Sequence, residues 1–186
     1  MAEVLNWGIL STARINEALI PPLQASRRNR LVAVASRDEQ KARAYAQRWS
    51  IPRSYASYES LLAAPDIDVV YISLPNSLHA EWTIRAAQAG KHVLCEKPLA
   101  ISLAEVDAIR EAARAHHVVI QEGFMYRHIP QTLKVQEIVR GGRLGKIWMV
   151  KGSFRFNLKR SEDVRLDPGL GGGSLWNVGC YPLSYA

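Results

Sequence analysis

The chain has 186 residues, 48% hydrophobic and 22% charged, with a formal charge of +7; this is the composition of a globular protein, long enough for one domain and at most a small second one. No apolar run approaches the roughly 20 residues of a membrane-spanning helix, Met1-Ala2-Glu3 is acidic where a signal peptide is basic, and two cysteines, Cys95 and Cys180, cannot build a disulfide framework, so a cytoplasmic setting is expected. The basic residues are scattered (Arg27, Arg28, Arg30, Arg37, Lys41, Arg43, then Arg155, Lys159, Arg160, Arg165) with no helix-turn-helix or zinc pattern, which reads as basic helix faces on a soluble protein; a phosphorylated cofactor is a more economical partner for some of the charge than nucleic acid.

In chain order, Val4 to Leu10 reads as a first strand, followed by a helix over Thr12 to about Ala25 that Pro21-Pro22 kinks or restarts. Leu31 to Ala35 is a second strand, and Asp38 is the expected N-cap of a helix to about Trp49. Ser57 to Leu62 predicts a short helix before the buried strand Val69 to Ser73. Glu81 to Gln88 is helical and His92 to Leu94 is a strand. Ser102, with Glu105 three residues on, forms a capping box for a helix to His116. Val118 to Gln121 completes the alternation, which predicts a parallel sheet covered on both faces: an α/β, Rossmann-type, doubly wound fold over residues 1–122.

After Glu122 the character changes. Gly123 to Arg127 leads into a helix from about Pro130 to Arg140, and Lys146 to Phe156 has the alternation of a longer strand. A glycine-rich loop, Gly169 to Gly173, then runs into Trp176-Asn177-Val178-Gly179-Cys180-Tyr181.

Dinucleotide-binding folds place a glycine-rich turn after the first strand, so that backbone approaches a pyrophosphate at a helix N-terminus. Here that place reads Ser11-Thr12-Ala13-Arg14-Ile15-Asn16, with Ser11, Ala13 and Asn16 where G-x-G-x-x-G has its glycines. The alternative is an ordinary strand-to-helix turn. At the end of the second strand, Ala35-Ser36-Arg37-Asp38 presents an arginine where an acidic residue would bind the ribose 2′-hydroxyl of NAD. Ser36 and Arg37 suit a 2′-phosphate, and Lys41 lies one helical turn on. NADP is therefore expected ahead of NAD, the alternative being that Arg37 is simply solvated. Glu96-Lys97-Pro98 delivers a lysine beyond a strand end, where ligands of α/β proteins gather, on a backbone that proline restricts.

Pro75-Asn76-Ser77-Leu78-His79, then Ala89-Gly90-Lys91-His92-Val93 and Glu96-Lys97-Pro98, resembles the Gfo/Idh/MocA family of nicotinamide-dependent sugar and diol oxidoreductases. The resemblance implies that Ser11 to Ile15 meet the pyrophosphate and that Leu74, Pro75 and Asn76 pass the nicotinamide ribose, with His79 a cofactor neighbour. Asn76 also reads as a helix N-cap and His79 as structural. Lys97 is the catalytic candidate, and Glu96 positions the nicotinamide or Lys97. The family reads G-G-x-x-x-D-x-G-x-H where this chain has Gly172 to Tyr181, so Asn177 stands for the aspartate and Tyr181 for the histidine. Tyrosine there is typical of the dihydrodiol- and xylose-dehydrogenase branch. A neutral Asn177 can only orient substrate hydroxyls, whereas Tyr181, on the same helical face, can hydrogen-bond the reacting oxygen or merely pack. Arg127 contacts substrate or cofactor, or makes an interdomain salt bridge.

By the same resemblance, residues 123–186 are the start of an α+β domain with an open antiparallel sheet. One strand cannot form such a sheet, so a truncated chain, a complementing fragment or a second copy is implied. The expected function is NADP-dependent hydride transfer to or from a sugar or diol hydroxyl, without metal. The alternative is a non-catalytic dinucleotide-binding module, serving as a sensor or as half of an assembly.

Overall fold

The computed structural model describes residues 4–159 and 162–186; Met1, Ala2, Glu3, Arg160 and Ser161, with the readings made of them, lie outside the described residues. Six parallel strands, β1 (Leu5–Leu10), β2 (Asn29–Ala35), β3 (Arg53–Tyr55), β4 (Val69–Ile72), β5 (His92–Cys95) and β6 (Ile120–Glu122), form one sheet in the order β3-β2-β1-β4-β5-β6. The helices are α1 (Asn16–Ala25), α2 (Glu39–Arg48), α3 (Tyr58–Leu62), α4 (His79–Gln88), α5 (Leu103–Ala115), α6 (Pro130–Arg140) and α7 (Cys180–Tyr185). Among the described residues no helix is long and apolar enough to cross a membrane.

Period-two alternation sends the strand side chains to two faces. Ile9, Val34 and Tyr71 pack with Ile20 and Leu23 of α1 and Ala46 of α2. Their neighbours Leu10, Ala33, Ala35, Val70 and Ile72 pack on the other face with Leu61 and Leu62 of α3 and Trp82 and Ala86 of α4. Each fully buried Leu or Ile contributes about 1.5–3 kcal/mol. Both faces being covered explains why these strands read as unbroken apolar runs.

The chain leaves β1 toward β2 and β3, then returns on the other side as β4. Connections therefore diverge at the carboxyl ends of β1 and β4, which opens a crevice between them.

Several local expectations need correction. Helix α1 starts at Asn16 rather than Thr12, because residues 12–15 form the turn, and it runs through Pro21 and Pro22 without interruption. Ile20 and Leu23 hold it to the sheet on either side of the missing donors. The edge strand β3 escapes a reading by hydrophobicity, since its three residues are only half-buried. Lys146 to Phe156 is not a strand: among the described residues no strand pairs with it, and Trp148 is 84% exposed. An extended segment becomes a strand only by pairing its N–H and C=O groups.

Gly8 in β1 sits where α3 approaches the sheet, and a Cβ there would lie 2.8 Å from Leu61 Cδ2 and 3.3 Å from Ile67 Cδ1. Both neighbours are buried core residues. Gly8→Ala is expected to cost about 1–3 kcal/mol by overpacking, read as a lower urea midpoint; an unchanged midpoint would mean that α3 is free to move away.

Candidate functional site

Ser11 closes β1 with φ at 111°, a left-handed backbone that favours glycine. Its N–H donates to Ala35 O at 3.0 Å, its carbonyl accepts from Asn16 Nδ2 at 3.0 Å, and its Oγ accepts from the Ala13 N–H at 3.1 Å. Among the described residues no acceptor meets the N–H groups of Thr12, Arg14 and Ile15. These free donors open α1, whose dipole adds partial positive charge at that end. Arg14 and Ile15 are exposed on the turn, while Asn16 is fully buried beneath it.

A cleft of about 360 Å³ runs along the strand ends from this turn. Ser11, Thr12 and Ala13 form one wall, with Leu74 and Pro75 beside them and Ser36, Arg37 and Lys41 at the far end. Asp38 caps α2, accepting the Lys41 N–H at 3.0 Å. That bond, above all, holds its carboxyl below the usual carboxylate range. Lys41 Nζ lies 3.5 Å from Asp38 Oδ2 with both side chains solvated, so the pair is loose and the ammonium keeps donors for another anion. Sequence reasoning missed Tyr58, Ser73, Leu78 and Val164, which also line the cleft. Tyr58 stands against Arg37, while burial pushes its hydroxyl pKa up. Ser73, next to the expected loop, and Leu78, inside it, carried a positional signal.

The lysine lies beyond β5, outside the residues that line this cleft. After β5, the Glu96 N–H donates to Ile72 O, and Glu96 Oε1 accepts the buried Tyr71 hydroxyl at 2.6 Å. The Lys97–Pro98 peptide is cis. Lys97 Nζ donates to Asn177 O at 2.7 Å and lies 5.2 Å from the centre of the Tyr181 ring. Asn177 belongs to a π-helical turn, Leu175–Gly179, ahead of α7. Asn76 does not cap a helix; Pro75 holds that position, and Asn76 Nδ2 donates to Gly171 O at 2.8 Å, 3.5 Å from Asn177 Oδ1. The loops after β4 and β5 thus clasp residues 171–181, bringing Asn76, Lys97, Asn177 and Tyr181 together.

His79 lies behind these loops, 1% exposed, with Nδ1 2.7 Å from Pro98 O and Nε2 2.8 Å from Leu74 O. Burial lowers its pKa while the two carbonyls pull the other way. It ties the two loops together and does not line the cleft. Arg127 stacks over Phe124 and donates to Ser184 Oγ; none of the ion pairs among the described residues includes it. Among the described residues there is no group of three His, Cys, Asp or Glu able to hold a metal.

Tyr181 packs edge-on against Phe124 and Phe154, with its hydroxyl donating to Met125 Sδ at 3.7 Å. Burial, then the nearby Glu96 charge, pushes its phenol up to about 12. Near neutral pH it is a hydrogen-bond donor, not a base.

A six-stranded parallel sheet that reverses between β1 and β4, with a cleft along its strand ends, defines a Rossmann-type protein. The sequence matches the description "Oxidoreductase family, NAD-binding Rossmann fold" over residues 5–124 and "GFO/IDH/MocA C-terminal domain" over residues 132–186. The chain belongs to the Gfo/Idh/MocA oxidoreductase family. It is 46% identical over 182 residues to "D-xylose 1-dehydrogenase (NADP(+)) 2" of Haloferax volcanii, covering 97% of this chain and 55% of that protein. With the "trans-1,2-dihydrobenzene-1,2-diol dehydrogenase" of Xenopus laevis it shares 35% identity over 184 residues, 96% of this chain and 54% of the other. A crystal structure of a 3-ketoreductase from Actinomadura kijaniata with NADP and TDP-benzene superposes with a TM-score of 0.91 at 34% identity, covering 97% of this chain and 56% of that one. The chain spans about half the length of the curated relatives it matches.

The half-buried phenol gives a direct test. Tyrosinate absorbance of the wild type minus that of Tyr181→Phe is expected to stay flat through pH 10, where an ordinary phenol is half-ionised, and to rise only above it. A difference titrating at pH 10 would place the Tyr181 hydroxyl in open water.

Proposed function

We propose that this chain binds NADP in the cleft and transfers hydride between its nicotinamide and a hydroxyl of a sugar or cyclic diol. In this reading residues 1–122 hold the dinucleotide, and residues 123–186 supply part of the substrate side. The observation that carries it is the pairing of two clusters on one sheet edge: Ser36, Arg37 and Lys41 at one end of the cleft, and Lys97 with Asn177 and Tyr181 beyond β5. The residues fit the cofactor. Free N–H groups at the start of α1 suit a pyrophosphate, and Ser36, Arg37 and Lys41 suit a 2′-phosphate. The NADP in the ketoreductase structure, and the NADP(+) in the name of the Haloferax relative, support the choice over NAD.

When bound, the nicotinamide supplies the hydride acceptor or donor. Lys97 holds an ammonium beside the reacting oxygen, where it stabilises developing alkoxide charge. Tyr181, neutral with its raised pKa, donates a proton to that oxygen in the direction of reduction. Asn177 orients neighbouring hydroxyls by donating and accepting, and Tyr71 fixes Glu96 beside the lysine.

With NADP and a panel of aldoses and diols, NADPH absorbance is expected; its absence across the panel would refute the enzymatic reading for this chain. Lys97→Ala is expected to lower kcat/KM by about 10²- to 10⁴-fold with NADPH binding nearly unchanged, and full turnover would remove Lys97 from the role. Arg37→Ala is expected to weaken NADPH about 10- to 100-fold by loss of a charge-assisted contact while sparing NADH; equal losses for both would contradict a 2′-phosphate site.

The Tyr181 hydroxyl faces Met125 rather than Lys97, and this favours a second reading, a dinucleotide-binding module without catalysis. NADPH binding without turnover distinguishes it.

A further inference from the structure

The three glycines of a dinucleotide turn are replaced here, yet the turn keeps a glycine-like backbone at Ser11. Side chains hold it there. Ser11 Oγ already accepts the Ala13 N–H, so its hydrogen is free to go to Ser73 Oγ at 2.8 Å. Ser73 Oγ in turn donates to Asn16 Oδ1 at 2.6 Å, in preference to Leu10 O at 3.4 Å. Asn16 closes the circuit by donating Nδ2 to the Ser11 carbonyl at 3.0 Å. Every hydrogen in this ring has one direction, and Asn16 and Ser73 are 0% and 6% exposed. Water competes little with such bonds.

We infer that Asn16 and Ser73 are positioning residues for the pyrophosphate end of the cofactor site. They act through Ser11, replacing by hydrogen bonds the conformational freedom that glycine would supply. The ring fixes Ser11, Thr12 and Ala13 against the cleft and leaves the Thr12, Arg14 and Ile15 N–H groups unspent. It also fastens this turn to the end of β4, one residue before Leu74 and Pro75, so that two walls of the cleft share one anchor. This inference rests on the proposed NADP site.

Ser73→Ala deprives Asn16 Oδ1 of its hydrogen and leaves Ser11 Oγ only the more distant Ser73 carbonyl, 3.2 Å away. In the 186-residue chain, this variant is expected to weaken NADPH binding roughly tenfold, followed by nicotinamide fluorescence. Binding of adenosine 2′-phosphate, which lacks the pyrophosphate, should change by less than about twofold, whereas a general loss of structure would weaken both. Ser11→Gly in the Ser73→Ala background should restore NADPH affinity to within about threefold of wild type, because glycine takes the turn's backbone unaided. A wild-type chain that binds no NADPH would overturn the cofactor reading and the inference with it. Wild-type affinity that survives Ser73→Ala, or a loss that Ser11→Gly leaves unrepaired, would overturn the inference alone.

Discussion

The rest of the structure depends on the reversal of strand order between β1 and β4. Because β2 lies on one side of β1 and β4 on the other, the chain must leave these neighbouring strands in opposite directions. No backbone can then fill the space beyond their carboxyl ends. The same reversal brings Ser11, Ser36 and Ser73, from three distant stretches, to one edge of the sheet. Burial on both faces locks that edge, since Ile9 and Leu10 point into opposite cores with no exposed surface. Sliding either strand by one residue would exchange the two sets.

On this frame the two ends of the sheet's carboxyl edge are set by different physics. The Arg37 end is solvated and electrostatic: a capped helix, an arginine against Tyr58 and a loosely paired lysine. The Lys97 end is held by polar contacts between loops. His79 ties the Leu74 and Pro98 carbonyls, Asn76 holds Gly171, and Lys97 reaches the Asn177 carbonyl. The second half of the chain is thereby fastened to the first by hydrogen bonds to specific atoms, with Phe124, Tyr126 and Tyr181 packed beside them.

Much of this was legible in the sequence. Apolar runs marked the buried strands, and Asp38, Ser57 and Ser102 marked helix starts that each side chain does cap. Glu96-Lys97-Pro98 marked the candidate site by its position after a strand. What escaped was whatever depends on partners far away in the chain. The Ser11 and Ser73 hydroxyls meet across 62 residues, and no local pattern announces it. The edge strand β3 lacks the burial that produces a pattern, and Lys146 to Phe156 has the pattern without a partner to pair with. Arg127 read as a site residue from its place in the chain; its contacts with Phe124 and Ser184 carried no signal in the sequence.

The proposed function requires one crevice to hold a phosphorylated dinucleotide between Arg37 and Lys97. A crystal structure of the chain grown with NADP tests it most directly. The 2′-phosphate is expected within hydrogen-bond reach of Ser36 and Arg37, the pyrophosphate on the N–H groups that open α1, and the nicotinamide beside Lys97. A dinucleotide bound in the reverse sense, or anywhere outside this crevice, would contradict it.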